Sequence, residues 1–369
     1  MKGPTLLSKK NTGFHFNIGD HTIIIALVVF WAALIITNPA FRSFSMYSSI
    51  VKQGSIFAVA GIGMTFAIAS GVFDLSIASQ IALSSVVFTT LIPLITPETP
   101  GLGIIITCLI VIAMGLIMGL INGLLVARLR IPAFIATLGM QLIYRGLAQF
   151  VNDAPVPFAT LGDDYQILTW GTGDPMVWSI GDFNIFYGSG FSQTRIFELP
   201  LYFYLMVLVA VVGTIVMRKT RIGRYVLAIG NSKDAAQIAG INIQHTQTVT
   251  FVMVGLFTSL AAIMMMSHLG SSNYGVPAGT EFTVISAVVL GGTAIVGGKG
   301  SIFNTVIASM FIATIPQALT TFGIDNNTHD IFNGAILVLA FSINTIRTYM
   351  DDALVKFRAR RDLKKSSNL

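Results

Sequence analysis

The chain is 369 residues long, 54% hydrophobic and only 10% charged, where a soluble domain carries roughly 25% charged residues. With a mean hydropathy of +0.77, this excludes an ordinary soluble enzyme and points to a polytopic helical membrane protein. The net charge of +6 does not require a nucleic-acid partner, because most cations fall at the ends of apolar runs and in the tail; the single cysteine, Cys108, leaves no disulfide framework and no thiolate metal site.

A bilayer core of ~30 Å takes about 20 apolar residues per helix. Lys2, Lys9 and Lys10 lie in a head, 1–21, read as cytoplasmic. The apolar run at 22–38 is followed by Asn38-Pro39 and no small-residue cleavage site, so it reads as a retained first span. Further spans are expected near 52–70, 77–95, 103–127 and 131–151. Gly115-Leu-Ile-Met-Gly119 and Gly119-Leu-Ile-Asn-Gly-Leu, in the fourth run, are spaced to let helices approach closely. The segment 152–199 is long for a connection within a compact bundle. It carries Asp153, Asp163, Asp164, Asp174, Asp182 and Glu198, with Ile180–Tyr187 strand-like around a turn signal. A packed lid and a docking surface for an outer partner are both open readings of it. After a sixth run at 200–217 comes 218–246, a polar, basic, helix-forming island that hydrocarbon cannot hold. Runs at 247–268, 281–297, 301–321 and 330–349 complete about ten spans, and 351–369 is a basic tail. The eighth run is short and Gly-rich, as a half-helix or re-entrant piece would be. The fold expected is therefore all-α, one transmembrane domain over 1–369.

The charges fit this topology. With both termini cytoplasmic, the cytoplasmic segments hold 18 Lys and Arg, and the outer ones hold only Arg42, Lys52 and Arg195. Nine or eleven spans would put a basic cluster outside.

Chemistry-bearing motifs are missing. A phosphate-cradling loop around Lys299 would need Gly where Thr293 stands and Ser or Thr where Gly300 stands. No His-Glu-x-x-His metal site and no Gly-x-Ser-x-Gly nucleophile turn occurs, and the five His residues sit near or beyond the membrane ends. No catalytic residue, no metal and no cofactor is expected in this chain. Ionisable groups within the bilayer are few: Asp74, Arg145 and Glu281. Asp74 is placed to cap a helix starting at Leu75. Arg145, deep in the fifth run, either snorkels outward or faces a polar cavity. Gln80, Asn122, Gln141, Asn304, Gln317 and Asn333 serve either as interhelical glue or as donors and acceptors for a polyhydroxylated solute. Asp74, Ser76, Asn122, Gln141, Arg145 and Asn304 are the candidate pathway-lining residues.

Four stretches taken together carry a resemblance over nearly the whole chain. They are Gly63-Met-Thr-Phe-Ala-Ile-Ala-Ser-Gly-Val-Phe-Asp-Leu-Ser76, Ile131-Pro-Ala-Phe-Ile-Ala-Thr-Leu-Gly-Met140 with Tyr144-Arg-Gly-Leu-Ala148, the polar loop Thr220–Asn242, and Ile285-Ser-Ala-Val-Val-Leu-Gly-Gly-Thr-Ala-Ile-Val-Gly-Gly-Lys-Gly-Ser301. The chain resembles the permease subunits of bacterial ABC importers for simple sugars of the ribose, galactose, xylose and arabinose kind. It departs from them at Val72 and Phe73, where the family commonly reads Gly-Ile, and in the length of 152–199. The resemblance implies a permease of the ribose/branched-chain amino acid superfamily, in the cytoplasmic (inner) membrane, assembled as a homodimer. It implies a cytoplasmic ATPase partner, which would hold ATP and Mg, and a periplasmic or tethered solute-binding protein. It also implies a coupling helix at about Asn231–Asn242, in a loop whose candidate residues are Arg221, Gly223, Arg224, Asn231, Asp234, Ala235, Ala236 and Gly240. The solute expected is a monosaccharide. Autoinducer-2, a nucleoside or an amino acid are the alternatives within the superfamily, and an ion-coupled secondary transporter or a membrane scaffold the alternatives outside it.

Overall fold

The computed structural model describes residues 22–95, 100–161, 176–180, 183–188, 195–197, 199–276 and 279–325, with isolated positions between 328 and 342. The head 1–21, the tail 351–369, most of the tenth run and much of 152–199 lie outside the described residues.

The described chain is mostly helical. In order the helices are α1 (Thr22–Thr37), α2 (Phe44–Ala69), α3 (Ile77–Leu91), α4 (Pro100–Ala127), α5 (Ala133–Val151), α6 (Leu201–Lys219), α7 (Arg221–Asn231), α8 (Lys233–Ile238), α9 (Ile243–Leu269), α10 (Thr280–Leu290) and α11 (Ile302–Thr321). Among the described residues six helical stretches are long and apolar enough to cross a membrane: Phe44–Ala69, Ile77–Leu94, Leu102–Ala127, Leu201–Lys219, Ile243–Leu269 and Ile302–Thr321. Leu27–Thr37 and Thr280–Leu290 are apolar but shorter. α5 has 19 residues but carries Gln141, Arg145 and Gln149, and is not among the six.

α2 is the centre of the bundle. Its apolar window is 89% buried by protein, whereas that of α6 is only 22% buried. α9, α11, α6 and α10 pack around α2, and α3, α4 and α5 form a second layer in which α3 and α4 pack on α9. Ser48 and Lys52, buried in the first turns of α2, explain why the helix starts well before the purely apolar run. α4 and α9 approach most closely at Gly115, Gly119 and Gly123, whose missing side chains admit the α9 backbone at Gly255, Phe251 and Thr248. α1 is pinned to α11 by Trp31 Nε1–H donating to Thr314 Oγ1 at 2.9 Å.

The helical bundle expected is accompanied by two small antiparallel sheets that the all-α expectation did not include. β1 (Val156–Pro157) pairs antiparallel with β6 (Ser271–Ser272), just past the end of α9. β2 (Met176–Ile180), β3 (Phe183–Gly188), β4 (Arg195–Ile196) and β5 (Leu199–Pro200) form an antiparallel four-stranded sheet in chain order. The β2–β3 hairpin falls on the strand-like stretch at 180–187, with Val177 opposite Tyr187.

The eighth run is likewise corrected from 281–297 to α10 alone. The chain leaves the helix at Gly291 and turns through Gly292, Gly297 and Gly298, at φ 86°, 93° and 80°. These are left-handed conformations that residues with a Cβ rarely adopt.

Candidate functional site

Three polar places stand out from the apolar bundle, and the structure separates candidates that the sequence grouped together.

The first is sealed. Asp74, Ser76, Gln80 and Asn122 are all 0% exposed. Asp74 Oδ1 accepts from the backbone N–H of Ser76 at 2.9 Å and from its hydroxyl at 2.6 Å. Asp74 Oδ2 accepts from Asn122 Nδ2 at 3.0 Å and Gln80 Nε2 at 3.2 Å. Both amides also donate to Ser76 Oγ, at 2.9 and 2.8 Å. The Tyr144 hydroxyl reaches the Met118 carbonyl at 3.0 Å and Asn122 Oδ1 at 3.2 Å. The helix starts at Ile77 rather than Leu75, so Asp74 closes a turn before α3 and at the same time ties α3 to α4, with α5 joined through Tyr144. A buried carboxylate is tolerated when several donors surround it. Sequence reasoning named Asp74, Ser76 and Asn122; it did not single out Tyr144, whose part depends on α5 crossing α4.

The second place lies along α5, half-exposed at Gln141 and Arg145 and buried at Glu281. Gln141 and Arg145 are one turn apart on a partly exposed face. Gln141 Nε2 donates to Glu281 Oε1 at 3.0 Å, and Glu281 Oε2 accepts from Gly279 N–H at 3.3 Å. Arg145 Nη2 donates to the Val276 carbonyl at 2.9 Å, and Arg145 Nε lies 3.5 Å from Ser79 Oγ. Gln141 is eight residues into α5, about 12 Å at ~1.5 Å per residue. α10 therefore begins level with the middle of α5. Its 11 residues are fewer than the about 20 that a bilayer core takes, and helices broken in this way place helix ends and irregular backbone at a solute's depth in transporters. Missed in the sequence was the contribution of Ser79 and the Val276 carbonyl. Asn304 is not part of this group: it stands in the first turn of α11, where its N–H donates to the Ser301 hydroxyl at 3.3 Å.

The third place is the inner end. The short helix expected within 231–242 is α8, and Ser232 starts it, its side chain accepting from Ala235 N–H at 3.2 Å; α7 is a second helix that precedes it. α7 is capped by Thr220, which accepts from Gly223 N–H at 3.4 Å. α7 is amphipathic. Val226 packs with Met217, Phe66, Ala69 and Ile302 and Ile229 is buried, while Arg221 and Arg224 are exposed. α8 ends where expected, with Gly240 at φ 79° and Ile241 N–H bonded to the Ala236 carbonyl at 3.0 Å. Within α8 only Ala236 is buried, and Ile238 is 89% exposed.

A junction ties this pair to the core. Gly298 N–H donates to the Ala69 carbonyl at the end of α2 at 2.9 Å. A Cβ on Gly230 of α7 would overlap both of those groups. Asn231 Nδ2 adds a contact of 3.4 Å to the Gly298 carbonyl.

Residues 46–341 match the family described as "Branched-chain amino acid transport system / permease component". Among characterised relatives, a probable ABC transporter permease protein, YphD of Escherichia coli, is 30% identical over 348 residues, covering 94% of this chain and 95% of the relative. The ribose import permease protein RbsC of Haemophilus influenzae is 29% identical over 335 residues, 90% of this chain and 96% of the relative. The galactose/methyl galactoside import permease protein MglC of Escherichia coli is 28% identical over 347 residues, 92% and 98% respectively. No solved structure matches.

Proposed function

We propose a function from the premise that this chain belongs to the branched-chain amino acid transport system / permease component family: it is the transmembrane subunit of an ATP-driven importer for a monosaccharide. One observation carries the sugar assignment. Relatives named as ribose and galactose import permeases align over nine-tenths of this chain and nearly all of their own length. The protein is a membrane permease and a transport subunit rather than an enzyme. ATP hydrolysis belongs to a partner ATPase that holds ATP and Mg.

The finer reading is as follows. The chain crosses the inner membrane about ten times with both termini cytoplasmic, and two copies form the pathway. α8 docks on the ATPase through Asp234, Ala235 and Ile238, which lie on the face away from buried Ala236. A solute-binding protein delivers sugar to the outer side. There Gln141 and Arg145 offer amide and guanidinium to its hydroxyls, and buried Glu281 holds Gln141 from behind. The Asp74–Ser76–Asn122 network is sealed and serves as the strut behind α5 rather than as a contact for solute.

The test is uptake by proteoliposomes holding this chain, its ATPase and its binding protein, with labelled ribose, galactose and xylose. Sugar accumulation that needs internal-face ATP and survives ionophores supports the reading. Uptake abolished by ionophores and indifferent to ATP would establish the ion-coupled alternative.

A further inference from the structure

On the inner side, a cavity of about 700 Å³ opens between α8, the start of α9 and the α4–α5 turn, within the ~300–1,000 Å³ range of small-molecule sites. Its polar lining is Arg130, Lys233, Gln237, Asn242, Gln244 and Gln247, with Gly71 and Val72 among the remaining residues. There is no carboxylate in that lining. Arg130 stands in the left-handed region at φ 58°, a conformation uncommon for a residue with a Cβ. Gln247 is the sharper signal. It is only 6% exposed, it lines the cavity, and its amide makes no hydrogen bond among the described residues. Its amide therefore presents donors and an acceptor to whatever occupies the cavity. The 27-residue α9 begins at the cavity wall with Ile243 and Gln244, adding the partial positive charge of a helix N-terminus.

We infer that this cavity binds a small phosphate ester carrying hydroxyl groups. Two cations and a helix start match a phosphate, and the carboxamides of Gln237, Gln244 and Gln247 match hydroxyls as both donors and acceptors. Lys233 and Gln237 are one turn apart on α8, about 100° round the helix from Asp234 and Ile238. The cavity face and the outward face of α8 are therefore distinct. A bound ester bridges α8 to α9 and to the 128–132 turn, fixing the orientation of α8 on the bundle. The inference does not depend on which solute the protein carries. The same chemistry comes from a soluble sugar phosphate or from the glycerol phosphate headgroup of a lipid.

The experiment is calorimetric titration of the purified full chain in zwitterionic detergent at low ionic strength, with ribose 5-phosphate, inorganic phosphate and ribose as probes. Ribose 5-phosphate should bind saturably, inorganic phosphate more weakly and ribose not measurably, and added salt should weaken the binding. Arg130→Gln and Lys233→Gln should each lower affinity roughly tenfold; both side chains are exposed, so folding is retained. Gln247→Glu should abolish binding, with helical circular dichroism and elution position as its folding control, and Ile238→Ala should leave binding unchanged. Repeating the titration in nanodiscs separates the sources. Binding lost in phosphatidylglycerol but kept in phosphatidylcholine assigns the site to a lipid headgroup, and equal binding in both assigns it to the soluble ester. Absence of saturable binding in detergent, indifference to both cation substitutions, or ribose binding as tightly as its phosphate would each overturn the inference.

Discussion

At Arg145 the guanidinium has an acceptor inside the protein, the Val276 carbonyl at 2.9 Å, with Ser79 Oγ at 3.5 Å. A lone charge at this depth in lipid costs at least ~2.5 kcal/mol even on a lenient insertion scale, so the contact with the segment before α10 relieves that cost. Arg145→Lys keeps the charge and loses the planar fork that spans two acceptors. Transport is expected to fall severalfold while membrane levels stay normal; full activity in the lysine variant would show that only the charge matters. Asn122 is a different case, because it is sealed. Asn122→Leu removes two donors, to Asp74 and Ser76, and an acceptor for Tyr144. The expected loss is about 1–3 kcal/mol of stability, read as a lower unfolding temperature of the purified protein. An unchanged transition would mean that water replaces the amide. The sequence pointed to Asn122 and Arg145 as polar residues in apolar runs. It could not separate strut from site, because that depends on which helix lies behind each side chain.

Among the helices, those that coincide with long apolar runs in the sequence were the legible ones. α1, α3, α4, α5 and α11 start and stop within a few residues of the apolar runs. Two boundaries were not legible, for opposite reasons. α2 begins at Phe44 because protein, not lipid, covers Ser48 and Lys52, so hydropathy fails to see its first turns. α10 stops at Leu290 although Ala294, Ile295 and Val296 keep the sequence apolar, since Gly291–Gly300 turns the backbone out of the helix. The α4–α9 seam is a strong test of packing. Gly119→Leu would force a side chain into the Phe251–Val252 backbone, and folded protein in the membrane is expected to drop sharply in a size-exclusion assay of solubilised membranes. On α8 the two alanines part company. Ala236 is buried and its replacement reports on folding, whereas Ala235 is exposed. Ala235→Arg is therefore the clean test of docking: sugar uptake is expected to be lost with the protein still present and the ATPase still able to hydrolyse ATP. Normal uptake by that variant would remove α8 from the docking surface.

For the whole molecule, the inner end gathers the charged turns and the outer end gathers the strands. The α4–α5 turn, α7, α8 and the Gly291–Gly300 turn carry Arg128, Arg130, Arg221, Arg224, Lys233 and Lys299, and the β1–β6 pair lies at the opposite end of α9. The 18-to-3 distribution of Lys and Arg predicts that the charged end faces the cytoplasm, because cation placement records orientation. The outer sheet was legible only as a strand-like hairpin, since its other pairings join residues without a periodic pattern. Reporter fusions after Asp153 and after Lys233 should give opposite signals, and the same signal from both would invert one half of the topology.

The contact among Ala69, Gly230 and Gly298 is made by main chain alone. Side-chain contacts can yield by changing rotamer, but a backbone seam can only stay closed or part. Displacing the α7–α8 pair must therefore carry the end of α2 and the turn after α10 with it, or break the seam outright. The seam links the α7–α8 pair directly to the turn after α10, the helix that starts opposite Gln141. It also makes the Gly298 amide a built-in gauge: its deuterium exchange should stay slow while the seam is shut and quicken only in a state where the two ends of the machine have come apart.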